Sequence, residues 1–297
     1  MNDLSQTSLF SSHHDVYLEI CSKIKSSKMI NLIASADLES IIALSQLEAA
    51  LLDCALSYRR RVLPPKRHTP RDEVTKLPET EGLVIYIDSF SESVISLNSK
   101  QPNIRIRPIA IEMKFDDSDN SHHGAIDCVA TCGVLAGMLA PEGARVRKQR
   151  SMIIGGAWLR QSLEVNYAPV MAIIRDHLDE EGSLEISPLP EVPCPAQGMI
   201  PGLSDRMLKR LVKAWPKMDV DQRSSAISEL VLPALRQDGL STGRLEELVW
   251  HRAVIPGNDI DIASQLFNAN GTWPEDSDAA RIHSSKIVDQ LITTGCL

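Results

Sequence analysis

The chain has 297 residues, 43% of them hydrophobic and 24% charged, a composition within the ordinary globular range and a length suited to one or two domains. Its 31 basic and 39 acidic residues sum to a net charge of −8, which excludes a surface built as a whole to coat nucleic acid or anionic membrane. No run approaches the roughly 18 apolar residues of a membrane span, and no basic stretch leads into an apolar core at the start, so no membrane partner and no signal peptide are expected.

The first half alternates between strand and helix patterns. His14–Ser26 carries Val16, Ile20 and Ile24 at spacings of four, the mark of an amphipathic helix. Met29–Ala34 is a short apolar run and predicts a buried strand. Ser40–Leu56, with Ile41, Leu44, Leu47, Leu51 and Ala55 on one face, predicts a long helix. Ser57–Leu63 returns as a strand, Pro64–Gly82 forms a polar loop, and Leu83–Ile87 and Ile104–Ile111 supply two more strands. That order predicts an α/β fold, a parallel sheet with crossover helices.

From Ile126 the pattern turns mostly helical: Ile126–Leu139, Met152–Leu163 and Tyr167–Glu180. A Pro-rich connector, Ile186–Gly202, leads to helices near Ser204–Ala214, Asp221–Leu235, Thr242–Arg252, Ile260–Asn268 and Asp276–Leu291. The connector divides an α/β unit, residues 1–185, from a helical subdomain, 186–297, packed on the same core. None of the 6 cysteines forms a C-x-x-C pair, which argues against a zinc site and a thioredoxin-type motif, and without an export signal the expectation is free thiols in a reducing cytoplasm.

In parallel sheets the chemistry gathers where the strands end. After the first strand come Asp37 and Glu39, and the second apolar strand ends at Asp88. Oxygen ligands on rigid elements suit Mg²⁺ or Mn²⁺, and three such carboxylates together would make a metal-dependent phosphoester site. Helix capping by Asp37 and Ser40 explains the same residue types without any metal. His122 and His123 precede an apolar helix on a polar stretch and read as solvated. There is no G-x-S-x-G elbow, no Walker-type loop and no G-x-G-x-x-G, so acyl hydrolysis and nucleotide hydrolysis find no support. Basic clusters occur at Arg59-Arg60-Arg61 with Lys66-Arg67, at Arg145, Arg147, Lys148 and Arg150, and at Lys209-Arg210 with Lys213 and Lys217. Arg59, Arg60, Arg61, Arg147 and Lys148 are the candidates for contact with single-stranded DNA, by phosphate rather than base stacking, because only 4% of residues are aromatic.

Six segments, in order between about residues 29 and 280, resemble the DHH phosphoesterase superfamily in its RecJ-like branch. ASADLESIIALSQLEAAL is similar to the first H-x-D-x-D motif, LVIYIDSFSE to the second, and IDCVATCGVLAGML to the S-S-A-G helix. MIIGGAWLRQ resembles the G-A-x-G-D helix, GMIPGLSDRMLKRLVKAW the P-G linker, and DIASQLFNANGTWPED the segment before the family's second domain. The departures fall on the metal ligands. Ser35 stands in place of the first histidine, Glu39 in place of the second aspartate, and Arg160 in place of the last aspartate. Glu112-Met113-Lys114 stands where a D-H-H triplet is expected, and no second, DHHA1-type domain is expected. The resemblance therefore implies a DHH-type domain keeping at most Asp37, Glu39 and Asp88 as a vestigial metal set. It is closest to the non-catalytic branch that joins the GINS complex and the MCM ring in the CMG replicative helicase. That implies a cytoplasmic, nucleoid-associated scaffold without a cofactor; the alternative it implies is a weak Mn- or Mg-dependent single-strand exonuclease.

Overall fold

The computed structural model describes residues 4–66, 75–90, 96–97, 103–114, 121–160, 169–236 and 240–297. After helix α1 (His14–Ser26) the chain lays down β1 (Ile30–Ser35), helix α2 (Leu38–Asp53), β2 (Tyr58–Leu63) and β3 (Leu83–Ile87). The two-residue strand β4 (Ser96–Leu97) and β5 (Ile104–Ile106) complete a sheet of order β2-β1-β3-β5-β4. Pairings β1–β2, β1–β3 and β3–β5 are parallel, and β4 alone runs antiparallel at the edge. The molecule is thus an α/β protein with four parallel strands. The order reverses between β1 and β3, and in open parallel sheets the carboxyl ends of the strands at such a reversal form a crevice.

Every residue of β1 and of β3 is buried, as their mainly apolar runs require of central strands. Ile30, Leu32, Ala34, Ile85 and Ile87 face the main core beneath α2. Ile33, Val84 and Tyr86 point the other way into a small separate cluster with Leu63 and Leu77. Among the described residues, the loop before β3 covers that second face in place of a crossover helix. Helix α2 is buried on nearly all sides, including Ser45, Gln46 and Glu48. Burial on this scale requires partners for the polar atoms. Ser45 Oγ and Gln46 Nε2 donate to Gln149, at its Oε1 (2.7 Å) and its carbonyl (3.0 Å), and Glu48 accepts from Tyr58 Oη at 2.9 Å.

Four expectations shift. The single strand over 104–111 is two: β5 stops at Ile106, and β6 (Ile109–Lys114) pairs with β7 (Ser121–Ile126) in a separate antiparallel hairpin. Pro108 at the break has no N–H for a ladder. His122 and His123 accordingly lie on a strand, across from Met113 and Glu112, not on a loop. The helix expected from Ile126 begins at Cys128, because Asp127 caps it: α3 (Cys128–Leu139). After the short α4 (Ala144–Lys148), the helix expected over 152–163 becomes a 3₁₀ segment (Arg150–Ile154) and the five-residue α5 (Gly155–Leu159). Two consecutive glycines disfavour a longer helix there. Its end, 161–163, and the first two residues of the helix expected over 167–180 lie outside the described residues.

The remaining helices are α6 (Pro169–Glu180), α7 (Asp205–Ala214), α8 (Val220–Val231), α9 (Thr242–Trp250), α10 (Ile262–Gly271) and α11 (Ser277–Thr294). Strand β8 (Glu185–Ser187) pairs with β9 (Arg252–Val254), replacing the end of the helix expected over 242–252 and tying the two halves of the chain across the Pro-rich connector. One apolar cluster runs through both halves. α11 packs along edge strand β2, where Arg60 reaches Asp289 at 2.7 Å and Arg281 Nε donates to the Val62 carbonyl at 3.1 Å.

Arg252 is only 1% exposed, paired with the wholly buried Asp261, and donates to Ser264 Oγ at 2.7 Å and the Leu248 carbonyl at 3.3 Å. Arg252→Ala strands a buried carboxylate, so it should cost about 3–5 kcal/mol in urea unfolding, whereas Arg281→Ala on the exposed rim should cost under about 1 kcal/mol.

Candidate functional site

The crevice is built from the tips of β1 and β3, the N-termini of α2 and α3, and the end of α5. Strand β1 delivers Ser35 and, one turn on, Asp37, Glu39 and Ser40; β3 delivers Asp88 and Ser89; Asp127 sits before α3 and Arg160 just after α5. Sequence positions 50 to 120 apart therefore meet where the sheet order reverses.

Arg160 is the centre of this arrangement. Its Nε and one terminal nitrogen lie 3.2 and 2.9 Å from Glu39 Oε1, and that terminal nitrogen also donates to the Ser89 carbonyl at 2.9 Å. Asp127 feels the same guanidinium and accepts from the Ala130 N–H at 2.8 Å as the cap of α3. Asp88, 2% exposed, is held by Lys66 Nζ at 3.4 Å and by Arg105 at 3.3 Å. Asp37, at the N-cap position of α2, makes no side-chain cap bond; it accepts instead from the Lys66 backbone N–H at 2.8 Å. Capping therefore does not account for Asp37. Nor does it account for Ser40, which joins a buried hydroxyl chain: Ser35 Oγ to Ser40 Oγ at 3.1 Å, and Ser40 Oγ to Ser89 Oγ at 3.0 Å.

The structure thus brings Ser35, Asp37, Glu39, Asp88 and Arg160 to one crevice, with the charge of Glu39 and Asp88 met by side-chain cations. The donor set does not fit a pair of divalent cations. Glu39 and Asp88 already hold Arg160, Lys66 and Arg105 where an ion would need open oxygen lone pairs, and fixed positive charge repels it. Among the described residues, no group of three or more His, Cys, Asp or Glu side chains is placed to hold a metal.

Arg160 pairs with Glu39 and acts on Asp127 through its charge. Burial, together with the neighbouring Asp127, pushes the Glu39 carboxyl up to about 7 against the opposing pull of Arg160. Burial likewise raises Asp127. Burial alone would lower Arg160, but Glu39 and Asp127 carry it above its ordinary value, so the guanidinium stays charged. Burial pushes the Cys128 and Cys132 thiols well up, which disfavours the thiolate. Gly156 completes the packing, because a Cβ there would fall inside the Asp127 carboxylate.

The other basic candidates are largely committed to the fold. Arg60 serves Glu48 and Asp289. Lys148 Nζ donates to the Thr293 carbonyl at 2.9 Å, and Arg147 pairs with Glu142. Arg145 holds Asp53, and Arg150 is buried against Glu181. Arg59 and Arg61 are exposed on edge strand β2, where charge also discourages pairing with another sheet. The sequence reading missed Asp127, Ser89, Lys66 and Arg105 as members of the site. Only Asp127 carried a signal, an acidic residue directly before an apolar helix.

Comparison of the sequence with models of known protein families and with curated proteins returned no match.

Two outcomes follow from this geometry. Glu39 and Asp127 keep their protons to higher pH in the folded chain than in the unfolded one. Stability should therefore fall by roughly 2 kcal/mol as pH rises from the ordinary carboxylate range through about 7, and Glu39→Gln should remove most of that slope in denaturant titrations at a series of pH values. Gly156→Ala should destabilise by about 1–3 kcal/mol, and pairing it with Asp127→Ala should recover part of the loss in a double-mutant cycle.

Proposed function

We propose that this chain is a non-catalytic scaffold with a DHH-type α/β domain of the RecJ-like kind, which joins the GINS complex and the MCM ring in a CMG-like replicative helicase. The observation that carries the reading is the Arg160 bridge from Glu39 to the Ser89 carbonyl, at the point where a phosphoesterase of this type would hold its metal. A strand-tip crevice with its carboxylates neutralised from within keeps the architecture of a metal-dependent hydrolase and gives up the charge that chemistry runs on. The collinear motifs support the assignment to the helicase branch. In this reading the chain works in the cytoplasm at the nucleoid, and 1–185 forms the DHH-like unit.

The test is co-elution of the purified chain with GINS from its own organism, by size-exclusion chromatography with light scattering. A stable complex is expected; separate elution of the two overturns the scaffold reading. The companion measurement is cleavage of a labelled single strand in Mn²⁺. Turnover no greater than that of Asp88→Ala is expected, whereas Mn²⁺-dependent cleavage abolished by Asp37→Ala or Asp88→Ala would establish the exonuclease alternative.

A further inference from the structure

Helix α7 presents a basic crest that the fold does not use. Leu208 and Leu211 of α7, and Trp215 just beyond it, point into the core. At about 100° per residue, the opposite side of the helix belongs to Arg206, Lys209, Arg210 and Lys213, and Lys217 follows in the 3₁₀ turn that extends it. All five are exposed, and no Asp or Glu occurs between Arg206 and Lys217. Among the described residues none of the five forms an ion pair, in contrast to Arg60, Arg145, Arg147, Arg150 and Arg160. The nearest acidic residues in sequence lie outside the crest: Asp205 opens the helix, and Asp219 is engaged in the capping box of α8. In a chain with a net charge of −8, five uncompensated cations within twelve residues form a local reversal of sign.

The geometry points to α7 as a contact for the phosphodiester backbone of a nucleic acid. The crest spans roughly 16 Å at 1.5 Å per residue, a distance over which a strand offers several phosphates. Lysine is depleted in protein–protein interface cores, and this crest has no apolar residue at its centre. Met207 and Val212 lie at its flanks, next to the core-facing side. No exposed aromatic stands among the five cations, so contact is with phosphate and carries no sequence preference. The inference does not depend on the helicase reading, since it uses none of the crevice residues.

The experiment is fluorescence anisotropy with labelled oligothymidylate of about 20 nucleotides and, separately, a mixed-sequence duplex of equal length, titrated over about 50–200 mM salt. If all five cations engage, log affinity should fall against log salt with a slope of about −3.5 on the single strand or about −4.5 on the duplex. The tighter arm identifies the form bound. Arg210→Gln with Lys213→Gln should flatten the slope by about 1.4 on the single strand and weaken binding at least tenfold at the lowest salt, with an unchanged melting curve. Three results overturn the proposal: no binding by the wild type at about 50 mM salt, equal binding by the double variant, or loss of binding in Arg59→Gln with Arg61→Gln while the α7 variant still binds. Equally tight binding of labelled polyglutamate of matched charge would also overturn it, in favour of an acidic polypeptide.

Discussion

A buried carboxylate cannot stay ionised without a countercharge, and this molecule is organised around that constraint. The parallel sheet delivers acidic residues to the tips of its two central strands, out of water. An isolated charge in such a place costs several kcal/mol, so something cationic has to stand beside it. Here the countercharges come from the chain itself: Arg160 from the end of α5, Lys66 from the loop after β2, and Arg105 from β5. Each crosses a large separation in sequence, so the pairs also lock the sheet, the first long helix and the following segments into one arrangement.

The same crevice is fastened from the far end of the chain. Trp273 Nε1 donates to the Ala36 carbonyl at 2.9 Å, in the turn between β1 and α2, and its ring meets His283 of α11 edge-on. α10 and α11 thus close over the start of α2, and α11 shields edge strand β2. A helix as buried as α2 has little amphipathicity to direct it. Its seat is fixed by specific polar bonds, to Gln149 on one side and Tyr58 on the other. Polar contacts inside a core are unforgiving of misplacement, and they set which face of α2 meets which neighbour.

Charge is distributed unevenly between structure and surface. Several arginines flagged by their clustering in sequence, Arg60, Arg145 and Arg150 among them, are structural ties, whereas α7 and its 3₁₀ extension carry five exposed cations that form no ion pair. Density of basic residues in sequence is therefore a weak guide to binding. What separates the two groups is whether an acidic side chain from elsewhere in the fold comes within reach, and only the folded chain decides that.

The sequence by itself determined the α/β class, the buried strands β1 and β3, the helices α1 and α2, and the position of Asp37, Glu39 and Asp88 at strand ends, because these follow from local apolar periodicity and from turns. Tertiary structure alone decided that Lys66 and Arg105 answer Asp88, that Asp127 comes under the charge of Arg160, and that Asp37 accepts from a loop instead of capping its helix. It also decided that Pro108 splits one apolar run between two sheets, and that β9 ends the ninth helix early to pair with β8. Each of these depends on which distant residue supplies a hydrogen bond or a charge, and local sequence holds no record of that distance.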